Sequence, residues 1–176
     1  MAFIKKFMRF LTLAENVICT VGLLGTTFLI TFQILNRFWL KLSVNWINDF
    51  ALFLFIFFVF FAIVLTTRID GHTTVDILVD GVFARHPVGK AVYTLLTRAV
   101  CVATLVAFVK PAYEFALDAW NYPQPGNLVR WFNESWLMET LLVCVLLCIV
   151  HLVYNIAEGV AKIRALRQTS EKVGEQ

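Results

Sequence analysis

Charged side chains are scarce in this sequence. Lys, Arg, Asp and Glu make up 15% of the 176 residues, whereas 60% are hydrophobic, and the mean hydropathy is +0.77. Because soluble domains carry about 25% charged residues, this composition excludes an ordinary soluble domain and indicates a protein that crosses a membrane several times. The net charge of +3 is too small to indicate nucleic acid as a partner.

Alternation of polar and apolar residues is also lacking. Backbone polar groups inside a bilayer must be satisfied within the protein, so that only helices or a closed barrel can span it. The strands of such a barrel would show alternating segments of about ten residues, and none occur in this sequence. The sequence therefore predicts an all-α integral membrane fold.

Signals of redox, ATP-driven and metal chemistry are missing. The four cysteines fall inside apolar segments, and the connections at residues 37–45 and 116–135 contain none, which argues against a quinone-linked thiol oxidoreductase. No G-x-x-x-x-G-K-[ST] loop occurs. The histidines His72, His86 and His151 lack ligand spacing for haem or metal, and His151 is interpreted as a hydrogen-bonded helix-packing residue. We therefore expect no cofactor and no enzymatic activity.

Long apolar runs are what the sequence does contain. Residues 50–67 are eighteen residues without a charge, seven of them Phe. As a helix they cover about 27 Å, close to the thickness of the hydrocarbon core of a bilayer. Three similar stretches complete a single domain with four transmembrane helices, at about residues 15–36, 46–67, 91–115 and 136–157.

The segments outside the spans are predicted to lie at the membrane surface. Residues 75–83 suit a short interfacial helix, and residues 1–13 fit either another one or a basic flank that orients the first span. Residues 162–176 form a polar cytoplasmic tail that is expected to fray.

Polar groups are nearly absent from the middles of the spans, which we expect to be uninterrupted by proline. Transport sites usually need broken helices near the midplane, so the chain alone is not expected to carry a solute. Gly22 and Gly25 give span one a small-residue face that allows close approach of another helix. Arg98, inside span three, either reaches the headgroups or, as the sharper hypothesis, pairs with a group on another helix.

Basic residues and tryptophans indicate the orientation. Ten Lys and Arg residues lie at the two termini and in the 68–90 connection, against four on the other side, and cytoplasmic segments carry the excess of positive charge. All five tryptophans fall at the opposite edge, where an aromatic belt is favoured. We therefore expect both termini in the cytoplasm.

The edges of span two carry a specific pattern. An acid follows a tryptophan by three residues at its start, and an arginine, a histidine and an aspartate follow its end at intervals of four. With an arginine after span one, these residues are Arg37, Trp46, Asp49, Arg68, His72 and Asp76. The pattern and the order of four spans resemble, over the whole chain, the small membrane subunit (DctQ type) of tripartite ATP-independent periplasmic (TRAP) transporters.

This resemblance implies an inner-membrane subunit of a sodium-coupled secondary transporter for organic acids such as sialic acid or C4-dicarboxylates. The implied partners are a large integral membrane subunit, against which the small one packs, a periplasmic substrate-binding protein, and the lipid bilayer. The substrate is implied to be held elsewhere. The alternative that the residues leave open is a stand-alone four-helix membrane protein, such as a small channel or a redox membrane anchor.

Structural roles are expected for the residues of the pattern. Arg68, His72 and Asp76 would share a helix face and form hydrogen-bonded pairs at the cytoplasmic edge, and Asp49 would pair with Arg37 at the outer edge. The simpler alternatives are that Arg68 only anchors the positive-inside orientation and that Asp49 is only a helix-start acid.

Three residues of the outer loop are candidates for docking the periplasmic protein. They are Trp120, Arg130 and Trp131. The alternative for the tryptophans is an aromatic belt at the membrane surface.

Overall fold

The computed structural model describes residues 2–44, 46–69, 87–126 and 131–174. Within these ranges each long helix contains a segment long and apolar enough to cross a membrane, and no β-strand is formed. The predicted all-α fold with four membrane-spanning helices is therefore confirmed. The helices are α1 (Ala2–Leu35), α2 (Trp46–Arg68), α3 (Pro87–Asn121) and α4 (Ser135–Gly174).

The first helix is longer than the predicted first span. It begins at Ala2 rather than near Glu15, because no proline or glycine interrupts residues 2–21 and nothing stops the helix from propagating. The first residues therefore extend the spanning helix instead of forming a separate short one. The other predicted interfacial helix, at residues 75–83, lies outside the described residues.

The last helix also continues past its predicted end. Fraying is expected from residue 162, but α4 is helical as far as Gly174. Its last turns are rich in Ala, Lys, Arg, Leu, Gln and Glu and contain no proline, and these residues have high helix propensity. The polar tail therefore prolongs α4.

One proline lies within a spanning helix, so the expectation of spans free of proline is wrong. Pro111 is inside α3, where it removes the backbone donor that the carbonyl of Ala107 would normally receive. The helix nevertheless continues to Asn121. Pro111 is six residues, or about 9 Å, from the midpoint of the Gly89–Asn121 segment, so it does not break α3 at the middle of the span.

The helices pack in the order α1, α2, α4, α3, with α2 and α4 at the centre. Two apolar clusters lie between the central helices. One contains Phe53, Phe132 and Leu137. The other contains Val64, Cys144 and Cys148. The cysteines of the second cluster are free thiols, buried among apolar side chains as predicted.

Two glycines set the distance between α1 and α2. A Cβ added to Gly22 would lie 2.9 Å from the Cβ of Phe58, and one added to Gly25 would lie 3.0 Å from Leu54 Cδ2. A larger residue at either glycine would force Phe58 or Leu54 to shift, because its Cβ would be too close to that side chain. The small-residue face predicted for span one therefore lies against span two.

The bundle has two distinct ends. We call the end at which α1 begins and α4 ends the terminal end, and the end with the α1–α2 and α3–α4 connections the loop end. At the loop end, α1 closes with a π-helical turn, Asn36–Leu40. The buried side chain of Asn36 accepts from the Leu42 N–H at 3.0 Å and donates to the Leu42 carbonyl at 2.9 Å, which holds the reversal into α2.

The α3–α4 connection is held by hydrogen bonds between its two sides. The N–H of Gly126 donates to the carbonyl of Phe132 at 2.9 Å, and the N–H of Glu134 donates to that of Gln124 at 2.9 Å. The Asn133 side chain accepts from the N–H of Ser135 at 3.0 Å, at the start of α4. These bonds fix Phe132 where its ring enters the core.

Candidate functional site

A group of polar and charged side chains connects all four helices near the terminal end. We call it the terminal cluster. Each of the four helices contributes at least one side chain to it. Two of its members, an acid and a histidine, are the most buried polar side chains among the described residues. The members are Glu15, Arg68, Arg98, His151 and Asn155.

The centre of the terminal cluster is a contact between Glu15 and His151. The Nε2 atom of His151 lies 2.7 Å from Oε1 of Glu15, and the side chains are 0% and 1% exposed, respectively. With Glu15 as a carboxylate, the imidazole N–H is the donor. The other ring nitrogen, Nδ1, is buried and has no hydrogen-bond partner among the described residues. The contact joins α1 to α4, which do not otherwise pack closely in the described structure.

Arg68 supplies the positive charge at the same carboxylate. Its Nη1 lies 3.6 Å from Oε2 of Glu15, with 18% of the arginine side chain exposed, and its Nη2 donates to Oδ1 of Asn16 at 3.4 Å. A carboxylate that has lost its water is costly unless a counter-charge or hydrogen bond replaces it. Arg68 and His151 together provide both.

Asn155 and Arg98 extend the cluster to the end of α2 and to α3. Asn155 Nδ2 donates to the carbonyls of Arg68 at 3.1 Å and Thr67 at 3.5 Å, and these carbonyls lie in the last turn of α2, where partners are lacking within the helix. Arg98 Nη1 donates to the carbonyl of Asn155 at 2.8 Å. Arg98 therefore pairs with another helix, as the sharper of its two sequence hypotheses predicts.

A glycine makes room for this last contact. A Cβ added to Gly159 would lie 3.2 Å from Nη1 of Arg98, so that the guanidinium lies directly against the backbone of α4. The arrangement satisfies a partly buried cation with a backbone carbonyl toward the edge of the spanning segment.

At the loop end, the structure does not bring the predicted pair Arg37 and Asp49 together. No ion pair of either residue is present within the described part of the chain, and α1 and α2 are joined there by neutral side chains. Gln33 Nε2 donates to Oδ1 of Asn48 at 2.9 Å. Asp49 lies in the first turn of α2, where an acid is favoured by the helix dipole.

The loop end is held by aromatic rings. Phe53 and Phe132 stack with centroids 4.3 Å apart, and Phe57 and Trp136 meet the same Phe132 ring edge-on at 6.1 and 5.3 Å. The ring centroids of Phe50 and Trp131 are 5.5 Å apart. We call these six residues the aromatic cluster. Such offset and edge-on geometries are those that aromatic rings prefer.

The remaining predicted site residues divide into two groups. The ring centroids of Trp46 and Phe50 are 6.3 Å apart. Trp120 lies in the last turn of α3 rather than in the predicted loop, and it is 71% exposed, whereas Trp131 of the α3–α4 connection is 64% exposed. The other three, His72, Asp76 and Arg130, lie outside the described residues. The pairs expected between Arg68 and the first two are therefore not tested.

Sequence reasoning missed Glu15 and Phe132 as site residues. Glu15 marks the start of the predicted first span, and a signal was present: it lies near the same membrane edge as Arg68 and His151. Three polar residues at similar depth on three spans favour a shared contact. For Phe132, the only signal is its place in a short connection that must return to the bundle.

The terminal cluster fixes the four helices to one another through hydrogen bonds and an ion pair. In the described ranges, no group of three or more His, Cys, Asp and Glu side chains is placed to hold a metal ion. The arrangement therefore acts as a set of polar contacts between helices.

Comparison with known proteins identifies a matching family. The family model for the DctQ component of tripartite ATP-independent periplasmic transporters matches residues 26–162. No curated protein matches the chain. The matched range includes all of α2 and α3, the membrane segment of α4 and the end of α1.

Proposed function

Since the chain belongs to the DctQ family, the small membrane component of tripartite ATP-independent periplasmic transporters, we propose that it braces the large transport subunit of such a system. The large subunit would move an organic acid, such as sialic acid or a C4-dicarboxylate, together with sodium. A periplasmic binding protein would deliver the substrate. In this proposal the small subunit is a multi-pass protein of the bacterial inner membrane with both termini in the cytoplasm.

The distribution of buried polar groups carries the proposal. Seven polar or charged residues are buried within the described ranges. Four lie toward the terminal end and two at the loop end, which leaves Thr26 alone between them; the seven are Glu15, Thr26, Asn36, Thr67, Ser135, His151 and Asn155. A solute path needs polar groups or broken helices near the midplane. A bundle with this distribution suits a bracing role rather than conduction.

The exposed helix faces supply surface for a partner. Large apolar side chains point outward along α1, as at Phe28, and along α3, as at Leu96, with 69% and 63% exposed, respectively. Helices associate in lipid by packing such faces against one another, without a hydrophobic driving force. In the proposed orientation, Trp120 and Trp131 contact the periplasmic protein at the loop end.

Co-purification tests the proposal. A chain tagged at its C-terminus and extracted from its native membrane in a mild detergent should retain a large integral subunit in constant ratio. A matched control is a tagged four-helix protein of another family, which should retain none. Purification of this chain as a self-sufficient oligomer that conducts ions or carries a visible absorption band would contradict the proposal.

A further inference from the structure

A polar pocket adjoins the terminal cluster and shares Arg68 and Asn155 with it. Its volume is about 360 Å³, within the range of about 300–1,000 Å³ typical of ligand sites. α1 contributes Met8, Arg9 and Thr12, α2 contributes Arg68, and α4 contributes Tyr154, Asn155 and Glu158. All of these residues are placed by helices, so the pocket is part of the bundle.

The charged residues that line the pocket lie near the ends of the candidate membrane segments of α1, α2 and α4. Arg9 is six residues before Glu15, or about 9 Å along α1, and Glu158 is seven residues after His151, or about 10 Å along α4. The apolar segment of α2 ends at Arg68. The polar layer of a bilayer is about 5–8 Å thick on each side of the hydrocarbon core, and charged side chains near the ends of membrane segments are least costly there.

The charges that line the pocket have two signs on opposite sides. Arg9 on α1 is exposed and makes no ion pair with any described residue, and Arg68 on α2 keeps unused N–H groups beside its long contacts to Glu15 and Asn16. On α4, the Tyr154 hydroxyl donates to Oε1 of Glu158 at 2.8 Å, which orients the carboxylate. The other oxygen, Oε2, has no partner among the described residues.

We propose that this pocket binds the headgroup of a phospholipid with a phosphate and a primary ammonium, of the phosphatidylethanolamine type. The guanidinium groups of Arg9 and Arg68 bind the phosphate, since planar N–H donors match phosphate oxygens. The ammonium donates to Glu158. The acyl chains run from the pocket toward the apolar part of α1, past exposed side chains such as Leu13.

Charge balance favours this zwitterionic headgroup over an anionic one. The two arginines are opposed by Glu15 and Glu158, so the site has no net positive charge to attract a second negative group. A choline group lacks the N–H donors that a carboxylate can accept. Free inorganic phosphate shares only the phosphate group with this lipid, because it has neither the ammonium nor the acyl chains.

The retention of lipid by the purified protein tests the site, and it requires no transport measurement. A negative result for lipid binding can therefore be told apart from a negative result for the bracing role. The full chain, with any subunit that it retains, is placed in nanodiscs of equal parts phosphatidylethanolamine, phosphatidylcholine and phosphatidylglycerol. It is then re-extracted in a mild detergent, and bound lipids are counted by native mass spectrometry. We expect one phosphatidylethanolamine to be retained per chain, and excess inorganic phosphate not to displace it.

Two variants and one control separate the contacts. Arg9→Ala should lower retention about tenfold, since a hydrogen bond to a charged group is lost, whereas Lys6→Ala, on the same helix but outside the pocket, should leave it unchanged. Glu158→Gln should remove the preference for phosphatidylethanolamine over phosphatidylcholine.

Several results would overturn the proposal. They are equal retention by the Arg9→Ala variant and the native chain, a preference for phosphatidylglycerol, and displacement of the lipid by inorganic phosphate. Retention of no lipid by a complex whose partner subunit fills the pocket would overturn it as well.

Discussion

The two ends of the bundle are held together by different chemistry. At the terminal end, the closest contact joins a buried carboxylate and an imidazole at 2.7 Å, with an arginine 3.6 Å from the same carboxylate. At the loop end, the core contact is a pair of stacked phenyl rings with centroids 4.3 Å apart, and the side-chain hydrogen bonds between α1 and α2 join neutral groups. Hydrogen bonds and charges are directional, whereas ring packing depends on shape. At the terminal end, buried charged groups therefore decide which side chains face each other, whereas at the loop end ring packing and hydrogen bonds between neutral groups do so.

This difference follows from what lipid does to helix association. Apolar side chains gain little from leaving lipid for another helix, so specific contacts must come from close packing and interhelical hydrogen bonds. The terminal cluster supplies hydrogen bonds among four helices, and Gly22 supplies the close approach of α1 to α2. The aromatic cluster packs α2 against the α3–α4 connection and the start of α4.

The largest expected effect is the loss of Arg68. Replacement by Met would leave the Glu15 carboxylate buried beside His151 without its cation, and breaking a buried pair in this way costs about 3–5 kcal/mol. Because 18% of the Arg68 side chain is exposed, we expect a value at the lower end, about 3 kcal/mol. Reversible unfolding of the purified chain in mixed micelles would measure it.

The double variant Glu15→Gln/Arg68→Met is the matched control for this prediction. Removing both charges should cost clearly less than the sum of the two single changes, because neither charge is then left alone. Additive effects would show that the two residues do not interact, and would contradict the central contact of the terminal cluster.

A somewhat smaller effect is expected from Phe132→Ala at the loop end. The side chain is 6% exposed and contacts the rings of Phe53, Phe57 and Trp136. Its truncation should cost about 3 kcal/mol or less, since a cavity is left where a ring was packed. Phe132→Leu should recover part of this loss in the same unfolding measurement.

Trp131 provides the comparison for Phe132 within the same loop. Its ring is 64% exposed, so Trp131→Ala should change the unfolding free energy by less than half as much as Phe132→Ala. Equal losses from the two variants would mean that burial in the aromatic cluster does not decide its stability.

The smallest effect is expected from the acid at the loop end. Asp49 has no ion pair in the described part of the chain, so Asp49→Asn should change the unfolding free energy by about 0.5 kcal/mol or less. Glu15→Gln, the same loss of charge at the terminal end, should cost more. An equal or larger cost for Asp49→Asn would contradict the contrast between the two ends.

The sequence was sufficient to predict the spans because their signal is local. A charge-free run such as residues 50–67 needs only its own composition to be recognised, and the small-residue face with Gly22 needs only a helical period. The same local signals predicted that Arg98 would pair, since a cation within an apolar segment is costly alone. None of them states which helix supplies the partner.

The contact of Glu15 with His151 could not be predicted with the same certainty. The two residues are 136 positions apart, and helical periodicity places a residue on a face without saying which helix that face meets. The pairing of Asp49 with Arg37 was expected for the opposite reason, since the two are near in sequence and at the same edge. Side-chain direction at the start of α2 decides against it, and Asn48 meets Gln33 instead.

The most direct test of the bracing role is uptake in proteoliposomes. The large subunit that co-purifies with this chain would be reconstituted alone, with the native chain, and with the Arg68→Met variant, and sodium-driven uptake of the organic acid would be measured with its binding protein present. We predict uptake only when the native chain is included, reduced uptake with the variant, and none with this chain alone. Uptake at the full rate by the large subunit alone, or by this chain alone, would contradict the account.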